Sequence, residues 1–258
     1  MTVLETIHQH RSIRKYKPDP IPEELIREIL EAGIRTSSSA NMNTYSIIVT
    51  RDRAEREKLH IPHREQSMVL DAPVLLTFCA DFNRMRKWLK LNNAPDGFDC
   101  FRSFMVGAID AILVSQTVAL AAESKGLGIC YLGSTLSNCD QIGEVLELPP
   151  SVVPVVGYSL GYPDENPDLR DRLPYEGLVH EETYQDYTDD QLKKIYHTRE
   201  TAGWERYMSD PDLRRQIEDS GVENLAQVYT KLRFSRDTYQ TIARRILDYL
   251  EAQGFMNQ

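Results

Sequence analysis

Cysteine is scarce in this 258-residue chain, and the four present, Cys79, Cys100, Cys130 and Cys139, are scattered. No two form a CxxC pair, so neither a zinc ribbon nor a disulfide framework is indicated. Cys79 and Cys130 lie inside apolar runs and read as buried, reduced thiols. The HxxH pair His60 and His63 spans a proline and has only Glu65 at hand, so no metal site is expected. Basic residues are also in deficit, with 30 Lys and Arg against 39 Asp and Glu, for a net charge of −9. That excludes a general nucleic-acid binder, which needs clustered cations along the phosphates, but leaves room for one local basic pocket. No run of 18 or more residues reads as apolar enough to cross a membrane, and the polar start lacks the apolar stretch of a signal peptide. A cytoplasmic protein without membrane partners is the expectation. A Walker A loop and an HExxH motif are absent. The glycines of 126–133 do not fit GxGxxG, and they precede a strand, where that fingerprint must follow one.

What is present is ample apolar material, 41% of residues, enough to bury a sizeable core. Helical periodicity marks 3–10 and 22–35, and strands are expected at 45–50, 72–80, 129–132 and 152–160. The run APVLLTFCA at 72–80 has no polar alternation, which suits a strand buried on both faces. The segment 101–125 is the longest periodic stretch and is apolar almost all round. Such a helix lies in a core or in a subunit interface, and Gly126 and Gly128 can end it. A loop rich in Pro, Asp and Arg covers 162–175, and polar helices follow 188. The order of elements gives an α+β domain over 1–187 and a helical extension over 188–258, packing on the core or on a partner subunit.

Candidate chemistry gathers at a few points. His10-Arg11-Ser12-Ile13-Arg14 places two guanidinium forks and a hydroxyl after a short helix, a donor set suited to a phosphate. Arg170 and Arg172 form a second basic pair in the Pro-flanked loop. Ser37, Ser38 and Ser39 offer hydroxyls, and Gly133-Ser134 ends a strand where a planar ligand can approach the backbone. Asp110, inside the apolar helix, needs a partner if buried and reads as a structural hydrogen-bond acceptor. One rival motif is formal: Gly157-Tyr158-Ser159-Leu160-Gly161 matches GxSxG, with Asp171 and His180 downstream. A nucleophile elbow requires a helix straight after the serine, however, and Pro163 and Pro167 oppose one.

Taken together, HRSIR (10–14), TSSS (36–39), FCADFNR (78–84), AAESKGLG (121–128), YLGS (131–134), LGYPDENPDLRDRLP (160–174) and ILDYLEAQG (246–254) resemble the nitroreductase family, in particular the oxygen-insensitive NADPH nitroreductases and the related flavin reductases. The resemblance implies an α+β nitroreductase-like fold, with a mainly antiparallel central sheet flanked by helices and a helical C-terminal extension. It also implies a homodimer with FMN at the subunit interface. Flavin contacts are carried over to His10, Arg11, Ser12, Arg14, Ser38, Gln66, Tyr131, Leu132, Gly133, Ser134, Arg170 and Arg172. Ser134 stands where the family often has a second glycine, and Arg170 where Lys is common. The implied activity is ping-pong, two-electron transfer from NADPH or NADH to nitroaromatics, quinones or flavins. The chemistry is carried by FMN N5 and no side chain acts as an obligatory acid or base. Arg233, Arg236, Arg244 and Arg245 are candidates for the NADPH phosphate. A serine hydrolase using Ser159, or a flavin-binding protein without turnover, are the alternatives.

Overall fold

The structure is a computed structural model that describes residues 2–257. Its sheet consists of β1 (Tyr45–Thr50), β2 (Val74–Asp81), β3 (Gly128–Tyr131) and β4 (Val152–Gly161), all antiparallel in the order β1-β2-β4-β3. β2 is buried throughout and β4 at every position but Val156. Side chains alternate across a strand. Val74, Leu76, Phe78 and Ala80 therefore enter one core, shared with the long helix, while Leu75 enters a second, shared with Leu59, Val69 and Ile142. With apolar cores on both faces the alternation leaves no polar trace, which is why the run is continuous in the sequence. Between Phe78 and Cys79 the register slips, so Val155 faces no partner and Pro154 pairs with Cys79. Such a bulge accommodates a proline that cannot donate to the ladder.

The long helix, Phe101–Ser124, packs across β1, β2 and β4 and against the helix Glu23–Ile34. Two glycines permit the close approach. A Cβ on Gly107 would lie 2.9 Å from both the Ala80 Cβ and the Thr44 carbonyl, and one on Gly33 would lie 2.2 Å from a Val118 methyl. Contrary to the expectation that no membrane-length segment exists, this helix is long and apolar enough to span a bilayer, with a mean hydropathy of 1.8 over its best window. Its packing shows it to be a core helix. Asp110 at its centre is fully buried and accepts hydrogen bonds from the Ser38 hydroxyl (2.7 Å), the Ser39 amide (2.9 Å) and the Thr44 hydroxyl (3.1 Å).

The chain forms two compact units. One holds the residues up to Asp168 together with those from Ile242 onward, and the other is Leu169–Thr241. The division differs from the boundary at 187/188. The composition changes where the helix Asp189–Ser209 starts, but the chain has already left the first unit in the Pro-rich loop, and it comes back afterwards. The final helix, Arg236–Ala252, ends in the first unit, where Leu250 and Phe255 are buried in the main core. The second unit has its own small core of Ile217, Val222 and Val228, with Trp204 and Tyr207 against it.

Candidate functional site

The segment 10–17 is held from two sides. On one, Ser12 bridges Ile129 in parallel, and the Ile13 amide donates to the Ile129 carbonyl at 2.8 Å, extending the sheet beyond β3. Ile13 and Tyr16 are the buried anchors. The Tyr16 hydroxyl lies 2.5 Å from the Ile13 carbonyl and 2.8 Å from the Ser159 Oγ. On the other side runs the loop after β4. The Lys17 amide donates to the Tyr162 carbonyl and the Asp164 amide to the Lys15 carbonyl. Glu165 accepts from the amides of Arg14 (2.5 Å) and Lys15 (3.1 Å).

These anchors fix the polar residues of the motif differently. Arg11 is tied down, its guanidinium donating to the Asn166 Oδ1 at 2.5 Å and to the Pro167 carbonyl at 3.1 Å. Burial pushes the Cys130 thiol up, against the opposing influence of Arg14 and of the Ser12 hydroxyl. The His10 Nδ1 sits 2.6 Å from the Glu123 Oε1. The Arg14 guanidinium is exposed and has no hydrogen-bond partner among the described residues.

A second group forms where β3 ends. Tyr131 is half-buried, edge-on to Tyr158 at 5.1 Å, with its hydroxyl 3.1 Å from the Ser115 Oγ. The Leu132 amide donates to the Gly157 carbonyl, and a Cβ built on Gly133 would meet nothing within 4 Å. Ser134 is buried, its Oγ 2.9 Å from the His63 Nδ1, and Gln66 donates to the His63 carbonyl at 2.8 Å. Gln66 and the 131–134 segment are thus brought together through His63, a residue that sequence reasoning had weighed only as half of an HxxH pair. Burial, with His60 adding to it, pulls the His63 pKa down to about 4, so its ring is neutral at pH 7.

Other residues are placed elsewhere. The Ser38 hydroxyl is committed to Asp110 and accepts from the Asn43 amide at 2.8 Å, within a loop where Ala40, Asn41 and Asn43 all adopt positive φ. Hydrogen bonds outweigh burial at Asp110 and hold its carboxyl below the usual range. Arg170 and Arg172 are exposed in the second unit, and the Arg172 guanidinium donates to the Arg170 and Asp171 carbonyls. Of the four nicotinamide-phosphate candidates, Arg245 is occupied by the Asn138 Oδ1 at 2.5 Å and Arg233 lies over the Tyr207 ring at 5.4 Å.

The hydrolase reading fails on geometry. Ser159 is an interior residue of β4 with no exposed surface, facing Leu75 and Cys130 and bonded to Tyr16. No helix follows Gly161 directly. Asp171 is paired with Arg199 at 2.8 Å, and His180 is bonded to Tyr187 and lies 4.4 Å from the Tyr184 ring.

An antiparallel sheet crossed by one long apolar helix, with a His-Arg-Ser-Ile-Arg segment laid along the edge of β3, defines a nitroreductase-like α+β fold. The nitroreductase family model matches residues 7–162, and the chain belongs to the nitroreductase family. It is 38% identical over 204 residues to the oxygen-insensitive NADPH nitroreductase of Salmonella typhimurium, covering 76% of this chain and 83% of that one. It is 32% identical over 246 residues to the FMN reductase [NAD(P)H] of Bacillus subtilis, covering 86% and 98%. Among solved structures, an NfrA1 nitroreductase of B. subtilis superposes at a TM-score of 0.85 with 28% identity, over 98% of this chain and 99% of that one.

Proposed function

We propose that the protein is an FMN-dependent NAD(P)H oxidoreductase that holds the flavin phosphate against the 10–14 segment and reduces small electron-poor acceptors. The observation that carries this reading is the Arg14 guanidinium, exposed and without a hydrogen-bond partner among the described residues, beside a rigidly anchored backbone. A forked cation with unused donors fits a phosphate. The open space over Gly133 fits a planar ring system next to Tyr131, Leu132 and Ser134. His10, Arg11, Ser12, Ser38, Gln66, Arg170 and Arg172 complete the set by resemblance. When bound, FMN supplies two-electron chemistry between a nicotinamide donor and an acceptor. The chain's own residues bind and orient: Arg14 meets the phosphate, Tyr131 and Leu132 form a wall, and Ser134 is turned away toward His63. Nitroaromatics, quinones and free flavins are the acceptors, by a ping-pong sequence, in the cytoplasm.

The same reading makes the protein a homodimer. The long helix exposes Phe101, Met105, Ile109, Ile112 and Leu113, each 40–47% accessible, along one stripe. A second copy is the partner that such a self-complementary apolar face fits.

The test is an absorbance spectrum of the purified protein, followed by anaerobic NADPH and then NADH. Flavin bands that bleach within the mixing time with either cofactor are the expected outcome. A colourless protein that takes up no added FMN would overturn the reading. Bound flavin that stays oxidised with both cofactors would leave a binding protein without turnover.

A further inference from the structure

We infer that His63 and Ser134 are positioning residues for Gln66, holding its amide ready for the imide edge of the flavin ring; the inference rests on the function proposed above. Gln66 closes a loop in which Arg64 and Glu65 both adopt positive φ, 58° and 52°. L side chains enter that region reluctantly, and two in succession more so. Such a loop needs fastening from outside. It is fastened at two neighbouring points, both by the segment that follows Gly133. The Ser134 Oγ is 2.9 Å from the His63 Nδ1, and the Asn138 side-chain amide donates to the Pro62 carbonyl at 2.6 Å. Ser134 opens, and Asn138 caps, the single helical turn Ser134–Ser137.

His63 and Ser134 are 2% and 4% accessible, so neither has water to replace the other. A buried polar pair of this kind holds one arrangement, because separating the partners leaves both unsatisfied. The same His63 supplies the carbonyl that takes the Gln66 side chain at 2.8 Å. A carbonyl only accepts, so the amide must face it with Nε2, and the orientation of Gln66 is fixed. Its Oε1 and its second N–H have no hydrogen-bond partner among the described residues. They stand as an acceptor beside a donor. The isoalloxazine ring carries the complement on its imide edge, where N3–H lies beside carbonyl oxygens. Gln66 and the open face over Gly133 are thus parts of one fastened unit. The fastening comes from a serine that stands where the family often has glycine, a residue with no hydroxyl to offer His63.

This role predicts discrimination at N3. Riboflavin and 3-methylriboflavin differ only in the methyl group that replaces the N3 hydrogen. Their dissociation constants should be measured by flavin fluorescence quenching on the apoprotein of wild type, Gln66→Ala, Ser134→Ala, Ser134→Gly and His63→Leu. Wild type should prefer riboflavin about tenfold or more, and Gln66→Ala should bring the two ligands within about twofold. Ser134→Ala removes one oxygen and leaves Gln66 in place, yet the preference should fall to about threefold or less, as it should in Ser134→Gly and His63→Leu. Adding Ser134→Ala to Gln66→Ala should change the preference no further, because the residues act as one unit. A purely structural role would weaken both ligands alike and leave their ratio untouched. A wild-type ratio retained in any of the Ser134 or His63 variants, or a wild type that binds both ligands equally, would overturn the inference. A wild type that binds neither flavin would overturn the function on which it rests.

Discussion

At the scale of single residues, the two most informative side chains are Arg14 and His63, and they report on different things. Arg14 spends its donors on nothing within the described chain, so its removal should cost binding and spare the fold. Arg14→Ala should lower FMN affinity by about 10- to 100-fold, the equivalent of one charged hydrogen bond at roughly 1.5–3 kcal/mol, with an unchanged melting temperature; titration calorimetry and thermal unfolding check the two halves. His63 does the reverse. Its folded pKa of about 4 lies below the unfolded value of 6.5, so the unfolded chain takes up a proton first as pH falls. Its contribution is fully present above about pH 6.5 and is lost on acidification through that range toward pH 4, by up to about 3 kcal/mol. Urea unfolding at pH 7 and pH 5 should show a loss in wild type that is smaller by about 2 kcal/mol in His63→Asn. Identical pH slopes in the two proteins would refute this.

The limits of sequence reading are visible at this scale. HRSIR could be picked out because it clusters forks and hydroxyls in five residues. The contrast between a bound Arg11 and an unbound Arg14 could not, because it depends on Asn166 and Pro167, a contact made only in the fold. For the same reason the sequence shows His63 only as half of an HxxH pair, since its partner Ser134 is 71 positions away.

Between elements, the long helix sets the geometry. Its inner face meets β2 and the Thr44 carbonyl at Gly107 and the neighbouring helix at Gly33, and both contacts leave no room for a side chain. Gly33→Val should destabilise the protein by about 1–3 kcal/mol through overpacking against Val118, read as a fall in urea midpoint with an unchanged slope. Asp110 ties the same helix to the Ser38 loop and, being buried, has the partners that the sequence shows it would need. The strands were legible to within two residues at each end because β-branched and aromatic runs bounded by turn residues leave few alternatives. The helix has membrane-length character because Asp110 is the one charged residue between Arg102 and Glu123, a feature that the all-round apolar pattern contains but that helical periodicity alone does not separate from a core helix.

For the whole molecule, the proposed homodimer rests on the outer face of that helix. A double change, Ile109→Glu with Ile112→Glu, puts like charges on both sides of a self-complementary stripe and should convert dimer to monomer, measured by light scattering after size exclusion. A dimer that persists would place the interface elsewhere. The sequence places a helical extension at 188–258, whereas the second compact unit is Leu169–Thr241. Composition records where polar helices begin. It does not record that Leu250 and Phe255 return to the first core, because an amphipathic helix that packs on its own chain reads like any other.

That return has a consequence for how the protein is made. The first unit is interrupted by 73 residues of the second, Leu169 to Thr241, and is completed only by segments beyond Ile242. During synthesis the sheet and long helix leave the ribosome with the seats of Leu250 and Phe255 vacant, and the main core cannot close until the chain has been translated past Phe255. The second unit, which needs nothing downstream for its own small core of Ile217, Val222 and Val228, is free to fold first. The larger body, although it starts first, finishes last.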